Sequence, residues 1–204
     1  MFIDFGAGYD FKLIRDRFIH KPLPKDNGIV GIDRRPDNPE YYKDFFNLMD
    51  KYYVKVDNMW IKKRNTPFQF YDCYICADIR DNIDILDPAD TWICISTLEH
   101  VPEEEVKSFL EGIISKIKPN SVGHIHIDLT DHRKYPPDIE NCFLHYTDET
   151  WGTSLETDYR GLFLNRIRRN EWFEILDEYF TYKRGVNDGL TSVSLDEVRL
   201  KNNS

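Results

Sequence analysis

The residues best suited to chemistry lie just past the middle of the chain. Val122-Gly-His-Ile-His-Ile-Asp-Leu129 alternates polar and apolar positions, which in an extended strand puts His124, His126 and Asp128 on one face. It runs directly into Thr130-Asp131-His132. An imidazole that titrates near neutral pH is suited to taking a proton from a hydroxyl. His132 is the first candidate for such a base, because it follows a strand end and has Asp128 and Asp131 nearby to orient its ring. His100, in Leu98-Glu99-His100, is the second. The same His126, Asp128 and His132 could instead hold a divalent ion, since mixed imidazole and carboxylate ligands suit several metals. The favoured reading is a site that needs none. Arg166 and Arg168 could hold an anionic group, against the plainer reading of a solvated helix start.

A second set stands at the beginning of the chain. Met1-Phe-Ile-Asp-Phe-Gly-Ala-Gly-Tyr9 is an apolar run that meets an acid and two glycines. A buried strand entering a tight turn at Gly6 and Gly8 lets the backbone approach a nucleotide-like ligand closely. Gly28-Ile-Val-Gly-Ile-Asp33 is another strand closed by an acid, and a carboxylate there is placed to accept hydrogen bonds from ribose hydroxyls. The plainer alternative for Asp33 is a solvated turn acid.

These groups need elements to position them. Phe11, Leu13, Ile14 and Phe18 predict a helix over Tyr9 to Ile19, ended by Lys21-Pro-Leu-Pro-Lys-Asp-Asn-Gly28. Pro39 suits a helix's first turn, and Tyr42, Phe45, Phe46, Met49 and Tyr53 continue at helical spacing. Alternation around Asp57-Asn58 predicts an inserted hairpin near 52–70. Strands follow over Phe70 to Ala77, Asp90 to Ser96 and Val122 to Leu129. Between the last two, Pro102-Glu-Glu-Glu opens the clearest amphipathic helix, stopped by Lys118-Pro-Asn-Ser. Arg133 to Gly161 has weak periodicity and reads as an acceptor-side loop near 133–161. Asn170 is placed to cap a final helix carrying Trp172, Phe173, Leu176, Tyr179 and Phe180. Two strands close the chain, around Thr181 and Thr191. Alternating strands and helices with acids at successive strand ends describe an α/β fold, a doubly wound, mostly parallel sheet with helices on both faces and ligands at its carboxyl edge.

Composition narrows the function classes. At 204 residues the chain fits one domain, 1–204, large enough to bury a proper core. A formal charge of -9 argues against nucleic acid, whose binding relies on basic patches. No apolar run approaches the roughly 20 residues of a membrane span, and the start lacks a basic-then-apolar signal pattern, so a cytoplasmic protein is expected. The four cysteines read as reduced thiols, since Cys73 and Cys76 would face opposite sides of a strand.

Asp4-Phe-Gly-Ala-Gly, Gly31-Ile-Asp33, Ala77-Asp78-Ile79, Asp90-Thr-Trp-Ile and Leu98-Glu-His-Val stand in an order that resembles class I S-adenosylmethionine-dependent methyltransferases over most of the chain. His126-Ile-Asp-Leu-Thr-Asp-His132 and Asn165-Arg-Ile-Arg-Arg-Asn-Glu-Trp172 look similar to runs of the type 11/12 branch, which acts on small molecules and glycans. The resemblance implies S-adenosylmethionine as cofactor, a small-molecule or glycan acceptor modified at a hydroxyl, and a cofactor-binding set of Asp4, Gly6, Gly8, Asp33, Asp78, Ile79 and Ser96. Gly6 and Gly8 would admit the methionine moiety, Asp33 would hold the ribose, and Asp78 with the Ile79 backbone would take the adenine. Asp57 is the rival for that last role. Three departures stand out: Asp10 replaces the third glycine, the loop before Gly28 is long, and no segment ahead of the first strand supplies the cofactor's usual cover. They make a non-catalytic binding or scaffold protein the main alternative. A nicotinamide enzyme is disfavoured, because its third glycine would fall at Phe11. A metal hydrolase would rest on the His/Asp strand alone.

Overall fold

The computed structural model describes residues 1–8, 28–34, 39–64, 71–81, 87–129 and 164–201. The expected helix over Tyr9 to Ile19, the loop near 133–161, and Asp131 and His132 lie outside the described residues. Five strands form the parallel centre: β1 Phe2–Phe5, β2 Ile29–Asp33, β5 Cys73–Cys76, β6 Ala89–Ile95 and β7 Ile117–Asp128, ordered β5-β2-β1-β6-β7. Outside β5 lies a hairpin of β3 Tyr53–Val56 and β4 Met59–Lys62, turning at Asp57, whose φ is 53°. Outside β7 lie β9 Ser192–Leu200 and then β8 Phe180–Arg184.

The sheet is therefore mixed, not mostly parallel: four of its eight described pairings are parallel and four antiparallel. Connection length accounts for two of the antiparallel pairs. A two-residue turn between β3 and β4 and a short loop between β8 and β9 allow only antiparallel pairing, while parallel neighbours need a crossover.

Alternation along the central strands builds two cores. Ile3, Phe5, Ile32, Ile75, Cys94 and Ile125 face one side with α2 (Val106–Ser115) and α3 (Arg169–Tyr179). Phe2, Ile29, Tyr74 and Ile93 face the other with Phe45 and Met49 of α1, Lys43–Tyr52. Helices on both faces thus follow from a period of two along the strands. Cys73 packs against the first core and Cys76 against the second, so the two thiols diverge.

Three boundaries differ from expectation. Pro39–Tyr42 and Glu103–Glu105 are single 3-10 turns, and α1 and α2 begin after them. Lys118-Pro-Asn-Ser sits inside β7 as a bulge, because Ala89 pairs with Ile117 while Thr91 pairs with Val122. Asn170 is the second residue of α3, not its cap. The helix is entered at Arg168, whose N–H donates to the Glu171 carboxylate at 2.6 Å.

Candidate active site

The carboxyl edge of the parallel strands begins with the glycine turn. Gly6 and Gly8 have φ of 71° and 73°, a region in which L side chains are strained. The N–H groups of Gly6 and Ala7 both donate to the Ile32 carbonyl, at 2.9 and 3.0 Å. Gly8 N–H donates to Oδ2 of Asp33 at 2.7 Å, and the Tyr74 hydroxyl donates to the Gly8 carbonyl at 2.9 Å. The turn is thereby tied to the end of β2 and, through the Tyr74 side chain, to β5. Asp4 sits beneath it, fully buried, and accepts a 2.6 Å hydrogen bond from the Tyr71 hydroxyl. Tyr71 reaches Asp4 by lying over Gly31, where a Cβ would come within 2.9 Å of its ring. Asp4 is thus tied to Tyr71 across β2, inside the sheet.

Thr97 closes the turn from the β6 side. A Cβ on Gly6 would fall inside the Thr97 side chain, whose hydroxyl lies 3.2 Å from the Gly6 carbonyl and 3.1 Å from that of Ile95. Ser96, just before it, takes φ 50°, and its N–H donates to the His126 carbonyl at 2.8 Å. A non-glycine residue in that region marks a backbone held by its surroundings at a strand end.

The next turn, Leu98–His100, carries the second candidate base and a buried acid. Glu99 is 3% exposed, and its Oε1 accepts the Asp128 N–H at 3.3 Å. Asn165 clamps the same turn: its amide donates to the carbonyls of Leu98 and Val101 at 2.7 and 2.8 Å, and its own N–H donates to the Glu99 carbonyl at 2.8 Å. The ends of β6 and β7 therefore bring Ser96, Glu99, His100, His126 and Asp128 to one region. Burial holds the His126 imidazole below its ordinary titration range, partly offset by the Asp128 charge.

On the other side of β1, Asp78 and Ile79 follow β5. Ile79 is buried against Gly112 of α2, so its side chain belongs to the core. Asp78 is ion-paired with Arg80, which also reaches Glu105. Asp57 stands apart from these groups, at the hairpin tip, where a cavity of about 480 Å³ opens between α1 and the hairpin, lined by Lys43, Phe46, Asp50, Lys55, Asp57 and Trp60.

Tyr71, Thr97, Glu99 and Asn165 are site-building residues that the sequence reading assigned no role. Glu99 and Asn165 fall inside the runs Leu98-Glu-His-Val and Asn165-Arg-Ile-Arg, but their partners are distant in sequence. Arg166 is partly exposed and Arg168 exposed, just ahead of α3.

No protein-family model and no curated protein matches the chain. Solved structures do resemble it. The PH0226 protein from Pyrococcus horikoshii OT3 aligns over 98% of this chain and 82% of its own at 14% identity, with a TM-score of 0.57. OxaC, in complex with S-adenosylhomocysteine (SAH) and oxaline, aligns over 98% of this chain at 12% identity and TM-score 0.57. LepI, in complex with S-adenosylmethionine, aligns over the same share at 12% identity and TM-score 0.54. The chain spans 42% of OxaC and 43% of LepI, less than half of each. These likenesses show the fold: the chain has the class I S-adenosylmethionine-dependent methyltransferase fold.

Proposed function

We propose that this chain binds S-adenosylmethionine at its glycine turn and transfers the methyl group to a hydroxyl of a small-molecule or glycan-type acceptor. The observation that carries this reading is the Gly8 N–H to Asp33 hydrogen bond, 2.7 Å long, which brings the turn and the partly exposed acid of β2 to one corner of the edge. A positive-φ turn with little side-chain bulk beside a carboxylate suits a ligand that carries both an extended amino-acid part and a ribose. The residues present therefore fit the cofactor. Gly6, Gly8 and Ser96 would border the methionine part, Asp33 the ribose hydroxyls, and Asp78 with the Ile79 backbone the adenine. Asp4, hydrogen-bonded to Tyr71 inside the sheet, would support the strand that leads into the turn.

When bound, the cofactor supplies an electrophilic methyl on a sulfonium. The chain's own task is to orient the acceptor in line with it and to remove a proton. His132 is the proposed base, a ring nitrogen taking the acceptor's hydroxyl proton while Asp128 or Asp131 orients the ring. His100 is the alternative, and neither assignment needs a metal. The segment 133–161 is proposed to contact the acceptor, within a single domain 1–204. Ligand-bound neighbours on this fold support the small-molecule reading, OxaC with oxaline among them.

Binding and transfer need separate tests, because one solved structure of this fold is described as a pericyclic reaction enzyme, at TM-score 0.56. Calorimetry with SAH tests the first, and the absence of both heat and a thermal shift at millimolar ligand would exclude it. With an acceptor in hand, His132→Ala should lower turnover by about 10²–10⁴-fold and leave SAH affinity unchanged. A loss within about threefold would remove His132 from the role.

A further inference from the structure

The carboxylate of Asp78 is held by a fork. Arg80 donates from Nε to Oδ1 at 2.8 Å, from a terminal guanidinium nitrogen to Oδ2 at 2.5 Å, and from its backbone N–H to Oδ1 at 2.9 Å. The other terminal nitrogen donates to Oε2 of Glu105 at 2.8 Å, in the turn that precedes α2. The guanidinium is thus fixed at both ends, bridging the segment after β5 to the one before α2. A planar, rigid fork of this kind restricts the rotation of the carboxylate that it grips, which a lysine's point charge does not do.

We propose that Arg80 is a positioning residue that fixes the Asp78 carboxylate so that the site selects a purine presenting an exocyclic amine. This rests on the adenine role proposed above for Asp78. An ionised carboxylate has about four acceptor positions. Arg80 takes two on Oδ1 and one on Oδ2, so the capacity that remains to a ligand lies on one oxygen, in one direction. An exocyclic N–H can donate into that position, whereas a carbonyl oxygen there meets a negative charge. A site built to pair with a donor discriminates strongly against an analogue that lacks it. The charges bearing on Asp78 agree: the Arg80 hydrogen bond holds its carboxyl below the ordinary range, with a smaller contribution from Arg34.

The ion pairs themselves are partly exposed, with side-chain exposures of 34% for Arg80, 25% for Asp78 and 40% for Glu105. Pairs in that setting contribute little to stability. Arg80→Gln should therefore fold and melt within about 3 °C of the wild type. Calorimetry with SAH and S-inosylhomocysteine, which carries a carbonyl in place of the amine, reads the selection directly. The wild type should prefer the adenosyl ligand by about tenfold or more. Arg80→Gln should reduce that preference to about threefold or less, and Arg80→Lys should fail to restore it. The preference should also disappear at a higher pH in Arg80→Gln than in the wild type, because the carboxyl then loses the Arg80 hydrogen bonds that lower its pKa. That shift is not expected of a residue that only supports the fold. An unchanged preference in Arg80→Gln, or tighter binding of both ligands, would overturn the proposal, the latter by showing that Arg80 competes for the carboxylate. Equal binding of both ligands by the wild type would overturn it while leaving the cofactor reading intact. Binding of neither would overturn both.

Discussion

The backbone N–H of Gly8 points at the side chain of Asp33 and donates to its Oδ2 at 2.7 Å, joining residues that lie 25 positions apart at the ends of neighbouring parallel strands. The acid expected to serve the ligand's ribose therefore also shapes the turn expected to admit the rest of the ligand.

Because of this double role, Asp33→Ala should weaken SAH binding by more than one ligand hydrogen bond, each worth about 1.5–3 kcal/mol when charge-assisted. Asp33→Asn keeps an acceptor for the Gly8 N–H and should fall between the two. Calorimetric affinities of the three proteins check this, and an unaffected Asp33→Ala would move the ribose elsewhere.

Gly6 meets a steric limit as well as a conformational one. Gly6→Ala should destabilise the protein by about 1–3 kcal/mol for the collision with Thr97 and by about 1 kcal/mol or more for a side chain at φ 71°. Adding Thr97→Gly should recover the steric part alone, leaving a residual loss. Urea unfolding of the single and double variants separates the two contributions.

Asn165→Leu should be costly despite similar bulk. It removes the amide donor from both carbonyls; the Leu98 carbonyl still accepts the Val101 N–H at 3.2 Å, so the cost falls mainly on the Val101 carbonyl, about 1–3 kcal/mol for a buried acceptor that loses its donor. A clear fall in the denaturation midpoint is expected, together with faster amide exchange across 98–101.

His126 should make stability depend on pH. Burial lowers its pKa in the folded state, with Asp128 as the opposing charge. The unfolded chain then binds the proton more readily between the ordinary histidine value near 6.5 and the lowered folded value. Stability is fully present above about 6.5 and falls as pH drops through the folded value. Denaturation from pH 7.5 to pH 5 should show this loss, and His126→Gln should lose less over the same interval.

Much of this molecule was readable residue by residue. Alternation along Phe2–Phe5, Ile29–Asp33 and Ile117–Asp128 follows from strand geometry, and it decides which side chains enter which core. The same period separates Cys73 from Cys76 and collects His124, His126 and Asp128 on one face. The glycines and acids at strand ends were equally visible, because a tight turn and a ligand-facing carboxylate are local demands. The antiparallel borders were less so, since a strand's pattern does not announce its partner's direction. What only the tertiary structure decided is which distant groups meet. Tyr71 reaches Asp4 across 67 positions and Thr97 abuts Gly6 across 91. Asn165 holds the turn at Leu98 across 67, and Glu99 takes the Asp128 amide across 29. Sheet order sets these neighbours, and it is the outcome of packing all the strands together. For the same reason the sequence marked Asp78 as a ligand acid, while only the folded chain shows its carboxylate in the grip of Arg80, with Glu105 holding the other end of the fork.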